Sequence, residues 1–533
     1  MPAGYFSLIL HAHLPFVRHP EYPEFLEEDW LYEAITEVYL PLVFIFRSLH
    51  EAGAMPRLAM NLSPPLCEML ADELLQTRYT QHLSNLLELA EKEELRTQTE
   101  DTEFNDAAKM YVENLRVSYD LWDNRYGRDL LNAFRELNDE GVIEIITCCA
   151  THGFLPLVST QEARRAQIEV AAANYKKHFG RSPRGIWLAE CAYEPGVEVL
   201  LKEAGIEYFI ADTHAILYGE PRPRYGVHAP VVTPNGVAVF ARDVETSQQV
   251  WSAESGYPGN DVYREFYRDI GWDAPLDMLK PHLHADGARR HLGLKYHRIT
   301  GRNVPQNNKQ AYIPALARQQ AADDAGHFLN ERIKQARMLR DTFDGRPPLV
   351  VSPYDAELYG HWWYEGPQFL DFFFRKAHFD QNTIECITPG DMLDSGVPIQ
   401  EQMPAASSWG ENGYYKVWLN EGNSWMYPYQ HDAEKKMTEF ANAAEDNEMN
   451  SRLLSQMARE LLLAESSDWA FQIYQGTTVE YSSRRFRSHI QRFDMLAKMY
   501  TSGEIDELLL AEIESRDNIF AEVDWRHYRT KDD

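Results

Sequence analysis

Gly185-Ile186-Trp187-Leu188-Ala189-Glu190 is a short apolar run that ends in a single carboxylate. A helical pattern, Glu162–His178, comes before it, and a second one, Pro195–Ala204, separates it from the apolar run Tyr208–Ala211. Apolar runs that alternate with helical patterns are typical of βαβ units, whose parallel strands are buried on both faces. The stretch therefore predicts a parallel α/β fold.

Seven apolar, often β-branched runs of this kind occur along the chain: Tyr5–Leu10, Arg57–Asn61, Ile143–Thr147, Gly185–Leu188, Tyr208–Ala211, Val237–Ala241 and Leu349–Ser352. The side chains at or just beyond their ends are polar: His11 and His13, Asn61, His152, Glu190, Asp212, Arg242 with Asp243, and Asp355. Strand ends meet polar loops in any fold, but in barrels the reactive groups gather at the carboxyl ends of the strands. We expect an α/β fold of the (β/α)7 barrel type.

Two insertions and a C-terminal region surround this pattern. Residues 67–140 are charged and helix-patterned, which predicts an inserted helical subdomain. Residues 245–345 predict a lid and a helical insertion, with a helix at Asp324–Phe343 that Asp323 or Asp324 would cap. From residue 401, loops with Gly and Trp lead into helical patterns. We expect a catalytic barrel over 1–400 and a C-terminal helical domain over 401–533 that contributes to the cleft.

Charge and composition exclude several classes of partner. The net charge of -30 argues against nucleic acid and anionic membranes, whereas a neutral substrate is not repelled. The chain contains no apolar run of about 18 residues, so no membrane span is expected. Its five cysteines are widely spaced and form no CxxC, which favours free thiols. With no basic leader at the start, we expect a cytoplasmic location.

Glu190 and Asp355 are the carboxylates that indicate chemistry. Glu190 follows a buried strand, so its backbone is held rigidly and its side chain suits a nucleophile. Asp355 is followed by Tyr359, Trp362 and Trp363, and an apolar setting raises a carboxyl pKa, as a general acid requires. Such a pair suits cleavage of a glycosidic bond. A structural ion pair is the alternative for either carboxylate, but the position at a strand end favours a functional role. Glu357 is a rival to Asp355, because it would share a face with it on an extended strand end.

Histidines occur at two strand ends. His11 and His13 form an HxH pattern that is able to bind a metal, and His152 follows the third strand. Hydrogen bonding to sugar hydroxyls, or orientation of Glu190, is favoured because no evident tetrahedral ligand set accompanies them. No metal and no organic cofactor is therefore expected. A buried histidine that is satisfied by the protein remains the alternative for each.

Tryptophans in polar or glycine-containing stretches fit the flat apolar faces of sugars, and Trp272, Trp409 and Trp418 are of this kind. A domain interface would also explain Trp409 and Trp418. Asp468 is suited either to accept hydrogen bonds from a sugar or to cap a helix. The turn-rich stretch Val250–Gly259, around Tyr257, predicts either a lid over the cleft or a plain surface loop.

Four short segments together resemble the ordered motifs of glycoside hydrolase family 57, most closely those of its α-1,4-glucan branching members. They are His11–Pro15, Ala150–Gly153, Trp187–Cys191 and Tyr354–Leu358. The resemblance covers nearly the whole chain and implies Glu190 as nucleophile and Asp355, not Glu357, as acid/base. Two departures are small: Ala189 stands where many members have Pro, and Tyr354 where many have Phe.

The resemblance also implies the family's (β/α)7 barrel with an inserted helical subdomain and a C-terminal helical domain. It places Trp272, Trp409 and Trp418 at the cleft and gives Arg264 and Asp468 a substrate-binding role, with Tyr257 as the candidate lid residue. The expected reaction is retaining transfer on α-glucan, with carboxyls about 5–5.5 Å apart. We expect a monomer or a small homo-oligomer.

Other activities are compatible with the same residues. An α-amylase or a 4-α-glucanotransferase would share the carboxylate pair, and only the linkage of the product separates them from branching. A metal-dependent deacetylase-like or mannosidase-like hydrolase would use His11 and His13. A non-catalytic glycan-binding protein would bind glucan without turnover.

Overall fold

The computed structural model describes residues 2–252 and 255–531. Ala253 and Glu254, part of the predicted lid stretch, lie outside the described residues. The strands are β1 (Gly4–Ala12), β2 (Leu58–Leu62), β3 (Ile143–Cys148), β4 (Gly185–Trp187), β5 (Tyr208–Ala211), β6 (Val231–Val232), β7 (Ala238–Ala241), β8 (Leu349–Asp355), β9 (Ile384–Cys386) and β10 (Gln400–Glu401).

Seven of these strands form a parallel barrel sheet in the order β8-β1-β2-β3-β4-β5-β7. They correspond to the seven predicted runs. Between β7 and β8 the sheet closes through backbone contacts, including the N–H of Asp243, which donates to the carbonyl of Val351 at 2.9 Å. The predicted (β/α)7 barrel is therefore confirmed.

The barrel interior is filled by apolar side chains from all seven parallel strands. One buried cluster takes a member from each of them: Ile9, Ala59, Ile146, Trp187, Tyr208, Phe240 and Val351. Because both faces of a parallel strand are buried, the strands read as continuous apolar runs. This explains why the sequence pattern located them.

The three remaining strands are short and were not predicted. β6 runs antiparallel to β7, β10 pairs with β6, and β9 pairs in parallel with β1. Each has two or three residues, which is too few for an alternation of polar and apolar residues to be visible.

The helices, in chain order, are α1 (Asp29–Ala34), α2 (Leu40–Glu51), α3 (Pro64–Ala71), α4 (Glu73–Arg96), α5 (Asn105–Tyr119), α6 (Leu130–Asp139), α7 (Gln161–Phe179), α8 (Val197–Glu203), α9 (Thr213–Leu217), α10 (Val244–Trp251), α11 (Ile270–Asp273), α12 (Leu276–Leu279), α13 (Pro314–Thr342), α14 (Gly366–Phe379), α15 (Pro389–Asp394), α16 (Tyr427–Ala443), α17 (Glu448–Ala464), α18 (Ser467–Gln475), α19 (Val479–Ser502) and α20 (Glu507–Arg516). Helices α3–α6 fall in the first predicted insertion and α10–α13 in the second. Among the described residues, no helix combines the length and apolarity needed to cross a membrane.

The predicted helix Asp324–Phe343 is wrong at its start. Helix α13 begins ten residues earlier, where Pro314 occupies the first turn, a position that suits proline. Asp324 lies inside the helix, and its carboxylate accepts from the hydroxyl of Tyr263 at 2.5 Å rather than capping the backbone. A tertiary contact therefore explains the carboxylate that the sequence suggested as a cap.

Strand register brings the site residues to one level of the barrel. In β1, His11 pairs with Asn61 of β2 on one side and with Asp355 of β8 on the other. These pairings place a histidine, an amide and a carboxyl side by side at the carboxyl ends of three neighbouring strands.

Candidate active site

A cleft of about 1030 Å³ opens over the carboxyl ends of the strands. Seven of the predicted site residues line it: His11, His13, His152, Glu190, Asp355, Trp409 and Asp468. The last two come from the chain beyond residue 400, so the cleft is built from both the barrel and the C-terminal region.

Glu190 is held in a constrained backbone conformation. It has φ +60° and ψ 25°, the left-handed region that non-glycine residues rarely adopt, and Cys191 beside it has φ +50°. His152, across the cleft, has φ +59°. Residues in such conformations cluster at functional sites, where the surrounding structure offsets the strain. Here the backbone N–H of Trp409 donates to the carbonyl of Glu190 at 3.0 Å.

The side chain of Glu190 is 14% exposed and packs against aromatic and titratable groups. The indole N–H of Trp409 donates to its Oε2 at 2.7 Å, and Nδ1 of His152 lies 3.9 Å from its Oε1. Burial raises the pKa of Glu190 to about 8, the Trp409 hydrogen bond opposes the rise, and the charges of Asp355 and Asp468 add to it.

Asp355 is the last residue of β8, and burial raises its pKa to about 7 while the charge of His13 opposes the rise. The charge of Asp355 also raises the pKa of Glu190, although burial is the larger cause. Near neutral pH the pair holds a proton, which is the state that an acid and a nucleophile in one site require.

Three histidine rings stack over the floor of the cleft. Nε2 of His11 lies 3.1 Å from Nε2 of His152, and the ring of His13 stacks on that of His152 at 3.9 Å. The ring of His11 is parallel to Trp187, with centroids 4.5 Å apart. Burial holds the pKa values of His11 and His152 well below the usual range. Both are therefore neutral, with nitrogens suited to hydrogen bonding.

Buried hydrogen bonds fix the orientation of each histidine. Nδ1 of His11 pairs with Asn61 at 2.5 Å, and Nδ1 of His152 pairs with the hydroxyl of Ser467 at 2.9 Å. His13 pairs through Nδ1 with Ser63 at 2.8 Å. Each side chain is thus positioned by a partner from another element.

His13, His152 and Asp468 each offer one ligand atom, and these atoms lie within 4.8 Å of one another. Such a set has the composition of a metal site. Nε2 of His13 already contacts the Asp468 carboxylate at 3.1 Å, and Nε2 of His152 contacts His11. Hydrogen bonds within the protein therefore account for the arrangement without requiring a cation.

Glu357 is a third carboxyl in the cleft. Its Oε1 accepts from the hydroxyl of Tyr39 at 2.6 Å and from the backbone N–H of His13 at 3.2 Å. Burial raises its pKa to about 8, with the Tyr39 hydrogen bond opposing the rise. The group is therefore mainly neutral at pH 7. Its two hydrogen bonds link it to His13, just beyond β1, and to Tyr39, just before α2.

Four predicted site residues, all within the described part of the chain, do not line this cleft. Arg264 is buried and pairs with Glu37 at 2.9 Å. Trp418 is buried and stacks on Phe154, with centroids 4.4 Å apart. The remaining two are Trp272, which lines a neighbouring cavity of about 680 Å³ together with Trp30, and Tyr257, whose hydroxyl bonds to His327 at 2.7 Å.

Several lining residues were missed by the sequence reasoning. Trp30 and Glu33 come from α1, and Phe471 and Gln472 come from α18. Helix α18 was not predicted, although Ser466-Ser467-Asp468 is typical of a helix start and Gly476 ends the helix in a left-handed conformation. Recognising that helix would have placed Phe471 one turn from Asp468.

Comparison with known proteins identifies the family. Residues 7–332 match the model of glycosyl hydrolase family 57, and residues 429–528 match that of the C-terminal region of 1,4-alpha-glucan branching enzymes. The chain is 36% identical to the 1,4-alpha-glucan branching enzyme of Thermococcus kodakarensis, over 98% of this chain and 78% of the relative.

Two crystal structures with similar folds carry different activities in their names. The α-amylase AmyC from Thermotoga maritima has a TM-score of 0.94 and 41% identity, covering 100% of both chains. The branching enzyme from Pyrococcus horikoshii has a TM-score of 0.88 and 34% identity, covering 99% of this chain and 97% of that one. On the match of its family model and the extent of these similarities, the chain belongs to glycosyl hydrolase family 57.

Proposed function

We propose that this protein is a retaining 1,4-α-glucan branching enzyme, with Glu190 as nucleophile and Asp355 as acid/base. The observation that carries the proposal is that one cleft holds two carboxyls whose pKa values are raised, Glu190 just beyond β4 and Asp355 at the end of β8. The match of residues 429–528 to the branching-enzyme C-terminal model supports branching as the outcome.

In the first step, the carboxylate of Glu190 attacks the anomeric carbon of an α-1,4-linked glucose. The bond to the leaving oxygen breaks as Asp355 gives that oxygen its proton, which leaves a glycosyl ester on Glu190 and a free 4-hydroxyl on the released chain. Both carboxyls have raised pKa values in the empty site, so at least one of them carries a proton near neutral pH. A glycosidic oxygen beside Asp355 accepts a hydrogen bond only from its protonated form, so substrate binding favours the proton there and leaves Glu190 ionised.

In the second step, Asp355 takes the proton from the 6-hydroxyl of an acceptor glucan. That oxygen attacks the same anomeric carbon, the ester bond to Glu190 breaks, and an α-1,6 branch forms. Two inversions give net retention. The acceptor prevails over water when it is held in place and water is excluded. Aromatic side chains at the cleft, among them Trp251, Trp362 and Trp409, provide suitable walls.

Further assignments belong to the same proposal. We place His11, His13, His152 and Asp468 on sugar hydroxyls, because they line the cleft and carry fixed hydrogen-bonding groups. We also propose a reducing, cytoplasmic location, which the five unpaired cysteines, all within the described residues, support. A role in making glycogen-like glucan is part of the same proposal. We propose a monomer or a small homo-oligomer, with a barrel over 1–400 and a helical domain over 401–533.

We also propose that Trp272, Trp418 and Arg264 contribute to glucan binding, as the family resemblance implies. Trp272 is half-exposed beside the cleft and suits a more distant part of a glucan chain. Trp418 and Arg264 would act from beneath, by supporting residues that line the cleft. Tyr257 stays a candidate lid residue.

An α-amylase is the second candidate, because a relative of that name is 41% identical over the full length of both chains. Both activities share the first step, and they differ in whether water or a 6-hydroxyl completes the second. The described geometry of the carboxyls is the same for either outcome.

Incubation with amylose, followed by proton NMR and a reducing-end assay, tests the proposal. New α-1,6 signals with few new reducing ends are expected, and Glu190→Gln should abolish them. Reducing ends without α-1,6 signals would establish the amylase instead. Full activity of Glu190→Gln would refute the assigned nucleophile, and loss of wild-type activity with a chelator would favour a metal-dependent hydrolase.

A further inference from the structure

The loop that carries Trp409 is anchored to the barrel at three points. Ser407 forms a two-way backbone bridge with Tyr193, at 2.9 and 3.0 Å. Trp409 bonds to both the backbone and the side chain of Glu190. The third point is the carbonyl of Gly413, which accepts from the imidazole Nε2 of His214 at 2.7 Å.

His214 is itself held by a carboxylate. It lies in α9, directly after β5, and its Nδ1 is 3.2 Å from Oδ1 of Asp212. A carbonyl and a carboxylate only accept hydrogen bonds, so the protonated ring, with an N–H on each nitrogen, satisfies both partners. The Asp212 hydrogen bond accordingly raises the pKa of His214.

Asp212 also reaches the other side of the loop. Its Oδ2 pairs with Arg242 at 2.5 Å, and the guanidinium of Arg242 lies 6.0 Å from the ring centroid of Trp409. Asp212 is buried, so this pairing is shielded from solvent. One carboxylate thus connects the imidazole that holds Gly413 with the cation beside the indole.

The loop packs closely against His214. Gly413 has φ +79°, and a Cβ there would meet Cε1 of His214 at 2.8 Å. The same Gly413 carbonyl also accepts from the backbone N–H of Ser408 at 2.9 Å, and Ser408 directly precedes Trp409. The position of Gly413 therefore affects the position of the Trp409 indole through Ser408.

We infer that Asp212 and His214 form a clamp that holds the Trp409 indole on the Glu190 carboxylate, and that His214 is a positioning residue for the nucleophile. His214 does not line the described cleft, so it acts through Trp409 and not on the sugar. The inference rests on the proposed role of Glu190 as nucleophile.

The pH profile of glucan cleavage should report the clamp. The indole hydrogen bond stabilises ionised Glu190, so loosening it should move the acid limb of kcat/KM to higher pH, by up to about one unit. Among the described residues, the other charged or titratable groups that face Glu190 are Asp355, Asp468, His152, Cys148 and Cys191. Those that face His214 are Asp212, Arg242, Tyr218 and Tyr414. None of these is changed in the test below.

His214→Ala should lower kcat by about tenfold, the effect of losing one hydrogen bond to a charged group, with KM nearly constant. His214→Gln should restore much of the loss, because its amide is able to donate to Gly413. His378→Ala, at an exposed histidine at the end of α14, is the matched control and should resemble the wild type. If the alanine variant unfolds under the assay conditions, His214→Leu replaces it.

The decisive comparison uses Trp409→Phe, which keeps a ring but removes the indole N–H. If His214 acts through Trp409, His214→Ala should shift the acid limb in the wild-type background and not in the Trp409→Phe background. The proposed clamp would be wrong if His214→Ala did not shift the acid limb of the pH profile, or if it shifted the limb equally in both backgrounds. Cleavage is measured as the total number of α-1,4 bonds broken. The result is therefore independent of whether branching or hydrolysis completes the reaction. Failure of Glu190 as nucleophile would show separately, as activity in Glu190→Gln.

Discussion

Nε2 of His13 lies 3.1 Å from Oδ2 of Asp468, although 455 positions separate the two residues along the chain. The contact joins β1 of the barrel to α18 of the C-terminal region. Ser466 also donates to the same carboxylate, at 2.6 Å. The orientation of two cleft-lining side chains and the packing of the two regions therefore depend on the same contact.

Replacing Asp468 by Asn should destabilise the protein in a pH-dependent way. Burial acts to raise the pKa of Asp468, but the charge and hydrogen bond of His13 outweigh it and hold the pKa at about 2. A depressed carboxyl pKa stabilises the folded state above the unfolded value near 4, and the contribution is lost as pH falls towards 2. Asp468→Asn should thus lower the free energy of unfolding by about 2 kcal/mol at neutral pH.

Chemical denaturation across this pH range measures the effect. The difference between Asp468→Asn and the wild type should shrink as pH falls from about 4 to about 2. Asp494→Asn, at an exposed carboxylate of α19, is the control and should show little difference at any pH. A difference in the free energy of unfolding that stays constant with pH would show that ionised Asp468 is not the source of the stabilisation.

Asp355 and Glu357 should respond differently to amide substitution. Glu357 accepts two hydrogen bonds through one oxygen, and Gln retains such an acceptor, so Glu357→Gln should keep activity within about tenfold. Asp355→Asn removes the acid and should lower the rate by about 10²–10⁴-fold. An α-glucosyl fluoride, whose leaving group needs no protonation, should restore the first step in Asp355→Asn. If the fluoride restored the first step in Glu357→Gln and not in Asp355→Asn, Glu357 would be the acid instead.

Arg264→Met should weaken the fold more than the binding of glucan. The guanidinium is buried beside Glu37 and lies 3.9 Å from the ring centroid of Tyr364, so its removal leaves the Glu37 carboxylate with His361, at 2.7 Å, as its remaining ion-pair partner. Breaking a buried pair in this way costs about 3–5 kcal/mol. Arg268→Met removes a partly exposed pair with Asp273 and should cost less than about 1 kcal/mol.

Chemical denaturation measures the stability of each variant, and KM for amylose is measured under conditions in which the variant is folded. Together they distinguish a role of Arg264 in stability from a role in binding glucan. A large rise in KM with unchanged stability would show that Arg264 binds substrate directly.

Much of the barrel was predictable because its strands are buried on both faces. Runs such as Tyr208–Ala211 are apolar throughout, and the residue that follows each run identified the mouth of the barrel. Boundaries were less certain: Asp355 proved to be the last residue of β8 and not part of the loop beyond it. The start of α13 was wrong because Asp324 is satisfied by Tyr263, a contact that no local pattern reveals.

The candidate site was predictable where a residue lies at or just beyond the end of a strand, as with His11, Glu190 and Asp355. It was not predictable where distant segments meet. The Trp409 bond to Glu190 spans 219 positions, and the pairing of Arg264 with Glu37 spans 227. Composition alone does not distinguish an arginine that faces a sugar from one that neutralises a buried acid.

The contribution of α18 to the cleft has a consequence for biosynthesis. A chain emerging from the ribosome carries Glu190 long before Asp468 and Trp409 have been made. Until those later residues dock, His13 has no carboxylate partner and Glu190 no indole donor. Both proposed catalytic carboxyls are present once Asp355 has been made, but their partners are not, so we expect activity only when the last quarter of the polypeptide has folded against the barrel.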